Sequence, residues 1–156
     1  MMDTDFMHLA INNAREAISR GQIPVGSVLV RNDEVLLAAH NTVWLDSDPT
    51  AHAEMNAIRR AARQLANIAL SGCTIYCTLE PCPMCLSASH WAKVQRIVYG
   101  ARIADAIAQG FSELTIPAER MIELGQSPLQ LEGGVLEVEC RLLFDEWVKS
   151  GMARPY

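Results

Sequence analysis

The spacing of hydrophobic positions changes along the chain, and this spacing predicts which segments are helices and which are strands. At residues 4–19, apolar side chains recur every three or four positions, as in an amphipathic helix, and Gly21 stands just beyond its end. Two short apolar, β-branched runs at 25–30 and 35–39 flank the polar link 31–34. The first forty residues therefore predict a helix followed by a β-hairpin.

The rest of the chain alternates between strand-like and helix-like segments. A run of strong helix formers occupies 51–65. A β-rich run at 73–79 leads into prolines that suit the start of a helix reaching about residue 92. Short strands are predicted at 96–100 and 129–131, and a last helix at 135–149. This alternation predicts an α/β fold with helices on both faces of a sheet, and no linker divides residues 1–156, which we interpret as a single domain.

Composition and charge restrict the classes of function. Half of the 156 residues are hydrophobic, enough for one core, and no apolar run approaches the roughly 18 to 20 residues that span a bilayer. The acidic N-terminus lacks the basic start and apolar block of a secretory signal, so we expect a cytoplasmic protein with no membrane partner. The net charge of -5 disfavours the broad basic surface that nucleic acids require. A small-molecule partner is expected instead.

One set of four residues has the chemistry of a catalytic metal site. Cys82 and Cys85 have a spacing that, in a cytosolic chain, indicates metal binding or redox activity before a disulfide. Together with His52 they supply the three nitrogen and sulfur ligands that catalytic zinc uses while keeping a fourth position open for water. Zinc lowers the pKa of such a water from about 15.7 toward about 7. Glu54 is close enough to share this cavity without being a ligand, which suits a proton shuttle.

Each of these signals is weak alone, and the combination is specific. A Cys-x-x-Cys pair also occurs in structural zinc knuckles and redox centres, and a single histidine or helical glutamate is usually solvated. However, His52-Ala53-Glu54 followed by Pro81-Cys82-Pro83-Met84-Cys85 is the signature of zinc deaminases. The set predicts one zinc per chain. A catalytically idle zinc module is the alternative from another class, and Glu54 argues against it because a structural site has no use for an unliganded carboxylate.

Further motifs extend this pattern over nearly the whole chain. They are Ile23-Pro24-Val25-Gly26, His40-Asn41, Asp48-Pro49-Thr50-Ala51 before His52, and Thr78-Leu79-Glu80 before Pro81. With them, the chain resembles the cytidine deaminase-like superfamily. That resemblance implies a three-layer α/β/α sandwich around a mixed five-stranded sheet. It also implies a homodimer, since small enzymes of this superfamily commonly pair.

Two branches of the superfamily share most of these residues: the guanine and guanosine deaminases, and the tRNA wobble-adenosine deaminases. Gly110-Phe111-Ser112-Glu113 is similar to the Gly-Phe-Asp-Asp or Gly-Phe-Asp-Glu of the guanine branch, with Ser112 departing from the usual aspartate. The short tail ending in Tyr156 is also closer to that branch. The resemblance thus implies hydrolysis of guanine to xanthine and ammonia. The alternative substrates are a tRNA adenosine, guanosine, cytosine and a triazine.

Four residues outside the metal set have expected roles, and the resemblance implies those of Asn41 and Glu113. Asn41 would hydrogen-bond the edge of the base, and Glu113 would be a second carboxylate in the pocket. Trp91 would form a wall on which the base stacks, and Tyr156 would bind substrate by capping a neighbour's pocket. By their residue types alone, Asn41 is a turn residue, Glu113 a surface acid and Trp91 a core side chain.

Overall fold

Seven helices and five strands follow one another along the chain. The computed structural model describes residues 1–156. All five predicted strands and the four predicted helices are present, together with three short helices that the pattern did not predict. In order, the elements are α1 Asp3–Ser19, β1 Gly26–Arg31, β2 Glu34–His40, α2 Val43–Asp46, α3 Ala53–Gln64, β3 Cys73–Leu79, α4 Pro83–Trp91, β4 Arg96–Ala101, α5 Ile103–Ala108, α6 Ala118–Gly125, β5 Gln130–Gly133 and α7 Glu137–Lys149.

The strands form one sheet in the order β2-β1-β3-β4-β5. Strand β1 is antiparallel to both β2 and β3, whereas β4 is parallel to both β3 and β5. The predicted hairpin closes through Asn32 and Asp33, which both have positive φ angles, as a tight two-residue turn between twisted strands requires. The sheet is therefore mixed and five-stranded, as expected.

Both faces of the sheet are covered by helices. In β3, Ile75 and Cys77 belong to one hydrophobic core, whereas Tyr76 between them belongs to the other. Residues of α1 and α7 build the core around Tyr76, and residues of α3, α4 and α6 build the opposite one. This arrangement confirms the predicted three-layer α/β/α sandwich.

Helix α1 approaches the sheet unusually closely at Gly26. A Cβ atom at this position would lie 2.2 Å from the carbonyl oxygen of Ala10 and 2.5 Å from the backbone nitrogen of Ala14. Only glycine leaves room for this contact. The backbone N–H of Gly26 donates to the Thr78 hydroxyl on β3, which ties the start of β1 to the strand that leads into α4. None of the helices has the length and apolar character needed to span a membrane.

Candidate active site

The structure brings His52, Cys82 and Cys85 together at the starts of α3 and α4. His52 is the N-cap of α3, Cys82 is the N-cap of α4, and Cys85 lies in the first turn of α4. His52 Nδ1 is 3.6 Å from Cys82 Sγ and 3.5 Å from Cys85 Sγ. Ligand atoms about 2.0–2.3 Å from a tetrahedral zinc ion have such separations. The donor set and its geometry therefore fit one zinc ion.

Hydrogen bonds to the backbone fix both helix starts. The buried hydroxyl of Ser27, on β1, donates to the carbonyl oxygen of Ala53 at the start of α3 (2.9 Å). The Ser89 hydroxyl, one turn after Cys85, donates to the Cys85 carbonyl oxygen (2.8 Å). Pro83 occupies the first turn of α4, where its missing N–H leaves no intrahelical bond unmade. The ligands are thus held by rigid elements.

The two cysteine thiols have opposite tendencies to ionise. A hydrogen bond from Cys85, helped by His52 and opposed by burial, lowers the pKa of Cys82 to about 4. The same hydrogen bond, together with burial, raises the pKa of Cys85 well above its usual value. Cys82 is consequently a thiolate at neutral pH, which is the form that binds metal. Metal binding releases the proton that the pair shares.

Glu54 lies at the bottom of the site beside the cysteine pair. It is only 4% exposed. Burial, followed by the charge of Cys82, raises the pKa of Glu54 to about 7. A cation held by the three ligands would favour its carboxylate form. A buried carboxyl group near an open metal position, and balanced between its two protonation states, can accept a proton and return it.

A cavity of about 300 Å³ opens above these groups, and both Asn41 and Glu113 line it. The Asn41 side-chain oxygen accepts the backbone N–H of Val43 (3.0 Å), which fixes the amide orientation and leaves its NH₂ group available to a ligand. Glu113 is half-buried, and burial, followed by the Cys82 charge, raises its pKa. The cavity therefore offers the amide donor of Asn41 and the carboxylates of Glu54 and Glu113.

The C-terminal tail crosses this cavity in its own chain. The Tyr156 hydroxyl lies 2.6 Å from His52 Nε2 and donates to the carbonyl oxygen of Pro49 (3.2 Å). Since Nδ1 of His52 faces the sulfurs, Nε2 carries the proton and donates to Tyr156. The tail is also held by Trp44, whose indole N–H donates to the Arg154 carbonyl oxygen and whose ring lies 3.9 Å from the Arg154 guanidinium.

The structure locates Tyr156 and corrects the expected place of Trp91. Tyr156 lies at the cavity of its own chain, because the tail folds back over it, and the capping of a neighbour's pocket stays a prediction. Trp91 does not form a wall of the cavity and is 76% exposed. It follows Cys85 by six residues, and six steps of about 100° place it about 240° around α4 from that ligand.

Two further residues belong to the site, and sequence reasoning gave them no role. Phe111 lines the cavity and stacks on the buried Trp147, with ring centroids 5.4 Å apart. Glu80 also lines the cavity, and its carboxylate accepts two backbone N–H groups from elsewhere in the chain. Both residues lie inside recognised motifs, so the motifs pointed to the positions without indicating what they do.

Comparison with known proteins places this site among deaminases of two kinds. The chain is 37% identical over 138 residues to a tRNA-specific adenosine deaminase of Bacillus subtilis (88% of this chain, 83% of that protein). It is 38% identical over 115 residues to the guanine deaminase of the same organism (73% and 74%). A solved guanine deaminase from Nitrosomonas europaea superposes with a TM-score of 0.85 at 26% identity (92% and 83%).

The family assignment comes from residues 1–101, which contain the three ligands and Glu54. They match the family described as the cytidine and deoxycytidylate deaminase zinc-binding region. A further relative, a tRNA-specific adenosine deaminase of Aquifex aeolicus, is 42% identical over 96 residues, and the match spans 64% of its length. The ligand geometry and the family match agree. The chain therefore belongs to the cytidine and deoxycytidylate deaminase zinc-binding family.

Proposed function

We propose that residues 1–156 act as a single zinc-dependent deaminase domain that hydrolyses guanine to xanthine and ammonia. The observation that carries this proposal is the carboxylate of Glu113, which lines the same cavity as Glu54 and as Asn41 with its free NH₂ group. We assign Glu54 and Glu113 catalytic roles, and Asn41 and Tyr156 substrate contacts.

The hydrogen-bonding groups of the cavity complement those of guanine. Guanine carries N–H donors along the edge that bears its amino group, and acceptors at N7 and O6 on the opposite edge. A carboxylate from Glu113 accepts from the donor edge, and the NH₂ group of Asn41 donates to the acceptor edge. Adenine offers a ring acceptor beside its amino group, where a carboxylate would meet no donor.

Glu54 is placed to move the proton that the reaction transfers. Bound zinc would supply Lewis acidity that makes water a nucleophile at neutral pH. Glu54 accepts the proton of the attacking water and returns it to the ring nitrogen next to the amino-bearing carbon. Glu113 orients the ring and assists transfer of the second water proton, from the oxygen added at the amino-bearing carbon, to the departing amine. One water is consumed, and xanthine and ammonia leave, so the atoms balance.

The size of the cavity and the tail that lies over it favour a small substrate over a polynucleotide. Tyr156 and its tail cover the cavity, and the volume of about 300 Å³ lies at the lower end of the range for small-molecule sites. The net charge of -5 also disfavours the phosphate contacts that supply most nucleic-acid affinity. The family resemblance to tRNA-specific adenosine deaminases makes a tRNA substrate the second candidate.

An ammonia-release assay separates these candidates. We expect turnover of free guanine by the zinc-loaded protein, and no inosine in a tRNA anticodon stem-loop incubated with it. Guanosine, cytosine and a triazine complete the panel. Inosine formed in the stem-loop, with guanine unchanged, would reverse the assignment. The homodimer expected from the family resemblance is measured in the same preparation by light scattering.

Glu113→Gln tests the residue that carries the proposal. The glutamine amide has one acceptor oxygen where the carboxylate has two, so it loses a hydrogen bond from the donor edge of guanine. We therefore expect kcat/KM for guanine to fall at least about tenfold. Zinc content and thermal stability should stay near those of the unsubstituted protein. Glu139→Gln, at an exposed position on α7, is the matched control. An unchanged rate would make Glu113 a solvated acid and remove the main support for guanine.

A further inference from the structure

Glu80 connects two separate elements of the site through one buried side chain. It lies between β3 and α4 and is only 5% exposed. One carboxylate oxygen accepts the backbone N–H of Ile103 (3.0 Å), and the other accepts the backbone N–H of Ala118 (2.9 Å). These donors are the first residues of α5 and α6.

Both contacts satisfy backbone groups that a helix cannot satisfy itself. The first N–H groups of a helix have no intrahelical acceptor, and a negative charge near them is stabilising. Neither helix start receives a hydrogen bond from its own N-cap side chain onto these first residues. The buried Glu80 carboxylate takes that place for both helices at once.

The segment between the two helices carries much of one wall of the cavity. Residues 111–114 all line it, and Glu113 is among them. No helix or strand covers residues 109–117, so the conformation of this stretch depends on the stack of Phe111 on Trp147, on the hydrogen bond from the Ser112 N–H to the Tyr156 carbonyl oxygen (3.1 Å), and on what holds its two ends. One end continues from α5 and the other leads into α6, and Glu80 binds the first residue of each helix.

We infer that Glu80 is a positioning residue, which fixes the wall segment 109–117 by holding the starts of α5 and α6 and thereby sets the place of Glu113 in the cavity. It acts through backbone hydrogen bonds and takes no part in the chemistry. Its own backbone N–H donates to the Ala101 carbonyl oxygen (2.8 Å), so the carboxylate projects from an anchored point.

Amide hydrogen exchange, followed by NMR in the zinc-loaded protein, tests the inference without any substrate. In Glu80→Gln, one of the two donors meets an NH₂ group instead of an acceptor. We expect exchange at Ile103, Ala118 and the hydrogen-bonded amides of 109–112 to become at least about tenfold faster. Exchange in β3 and α4, and zinc content, should stay unchanged. Glu123→Gln, an exposed acid on α6, is the matched control.

Two exchange results would overturn the inference. Unchanged exchange in 109–112, in a folded Glu80→Gln variant, would show that other contacts hold the wall. Equal acceleration throughout β3 and α4 would show that Glu80 supports global stability only. Glu80→Ala removes both acceptors and should give the larger local effect. If it does not fold, the Gln variant decides the matter alone.

A double-mutant cycle then links the wall to substrate, and this arm rests on the proposed function. Glu80→Gln should raise KM for guanine about tenfold with a smaller change in kcat, and this effect should largely vanish in a Glu113→Gln background. Additive effects would show that Glu80 does not act through Glu113. If the unsubstituted protein does not deaminate guanine, the proposed function fails while the exchange result still decides the role of Glu80.

Discussion

At the scale of single residues, Glu54 and Cys82 have pKa values shifted in opposite directions by a common neighbourhood. The charge of Cys82 contributes to the raised pKa of Glu54, after burial, whereas hydrogen bonds from Cys85 and His52 lower the pKa of Cys82. Cys82 is therefore prepared to bind metal as a thiolate, and Glu54 is prepared to exchange a proton. Substitution of each should remove a different property.

Glu54→Gln should abolish turnover while leaving the metal in place. The amide has nearly the same shape as the carboxyl group but cannot accept the proton of the attacking water, so we expect at least about a hundredfold loss in kcat. Metal analysis should still show one zinc per chain. Cys82→Ala, in contrast, should lose most of its zinc. Zinc loss in Glu54→Gln, or full zinc in Cys82→Ala, would contradict the assignments.

Sequence predicts the ligands better than the walls because the ligands depend on local geometry. The spacing of Cys82 and Cys85, and the helix starts that carry His52 and Cys82, are defined within a few residues. The sequence places Trp91 in the pocket because it is close to Cys85 along the chain. In the structure, its position on α4 points away from the pocket. The role of Glu80 depends on donors 23 and 38 residues away, which no local pattern shows.

At the scale of elements, β3 was predicted with the same bounds that the structure shows, because its β-rich run leads directly into Glu80 and Pro81. The short helices α2, α5 and α6 were not predicted. Helix α2 has four residues and α5 six, too few for an apolar period to be recognised, and such short helices depend on tertiary contacts. Glu80 provides one such contact for both α5 and α6.

Helix α1 is attached to the sheet by an ion pair at its first residue. The Arg96 guanidinium donates to both oxygens of Asp3 (3.0 and 2.7 Å), and the Tyr76 hydroxyl donates to one of them (2.6 Å). The hydrogen bond from Arg96, opposed by burial and helped by Tyr76, lowers the pKa of Asp3. A carboxyl group with a lowered pKa in the folded state stabilises the protein above its unfolded-state pKa of about 4.

Asp3→Asn should therefore reduce stability at neutral pH and flatten its acid dependence. We expect a loss of about 1 kcal/mol in the free energy of unfolding at pH 7, a modest value because both side chains are partly exposed. The loss should shrink as the pH falls from about 4 through the lower, folded-state pKa of Asp3. Urea unfolding across this range measures it, with Asp145→Asn at an exposed position as control. Equal pH dependence in both variants would contradict the role of Asp3.

At the scale of the whole molecule, the metal ligands join two helices that lie on the same face of the sheet. His52 comes from α3, and Cys82 and Cys85 come from α4. These two helices pack against one another. A ligand that binds only the folded state stabilises it by mass action. The layered fold itself followed from the alternation of strands and helices. The sequence pattern does not predict that the tail returns to the cavity, because this return depends on distant contacts with Trp44 and Pro49.

Removal of zinc should lower the melting temperature reversibly. At a free zinc concentration about a hundredfold above Kd, the stabilisation is about 2.7 kcal/mol, which corresponds to about 5 to 10 °C for a chain of this length. Calorimetry before and after chelation, and again after zinc is restored, measures the shift. Cys82→Ala should show no response to zinc. A melting temperature independent of zinc in the unsubstituted protein would contradict a site that joins α3 and α4.

Because Phe111 stacks on Trp147, tryptophan fluorescence can report on the wall of the cavity. Trp147 is buried and its indole N–H has no hydrogen-bond partner, so its emission reflects an apolar surrounding that contains Phe111. Trp91, by contrast, is exposed and emits as a solvated indole. In a variant with both Trp44→Phe and Trp91→Phe, the fluorescence would come from Trp147 alone, the third tryptophan of the chain. Its intensity would then follow the wall of the cavity in real time as a base enters, without any attached dye.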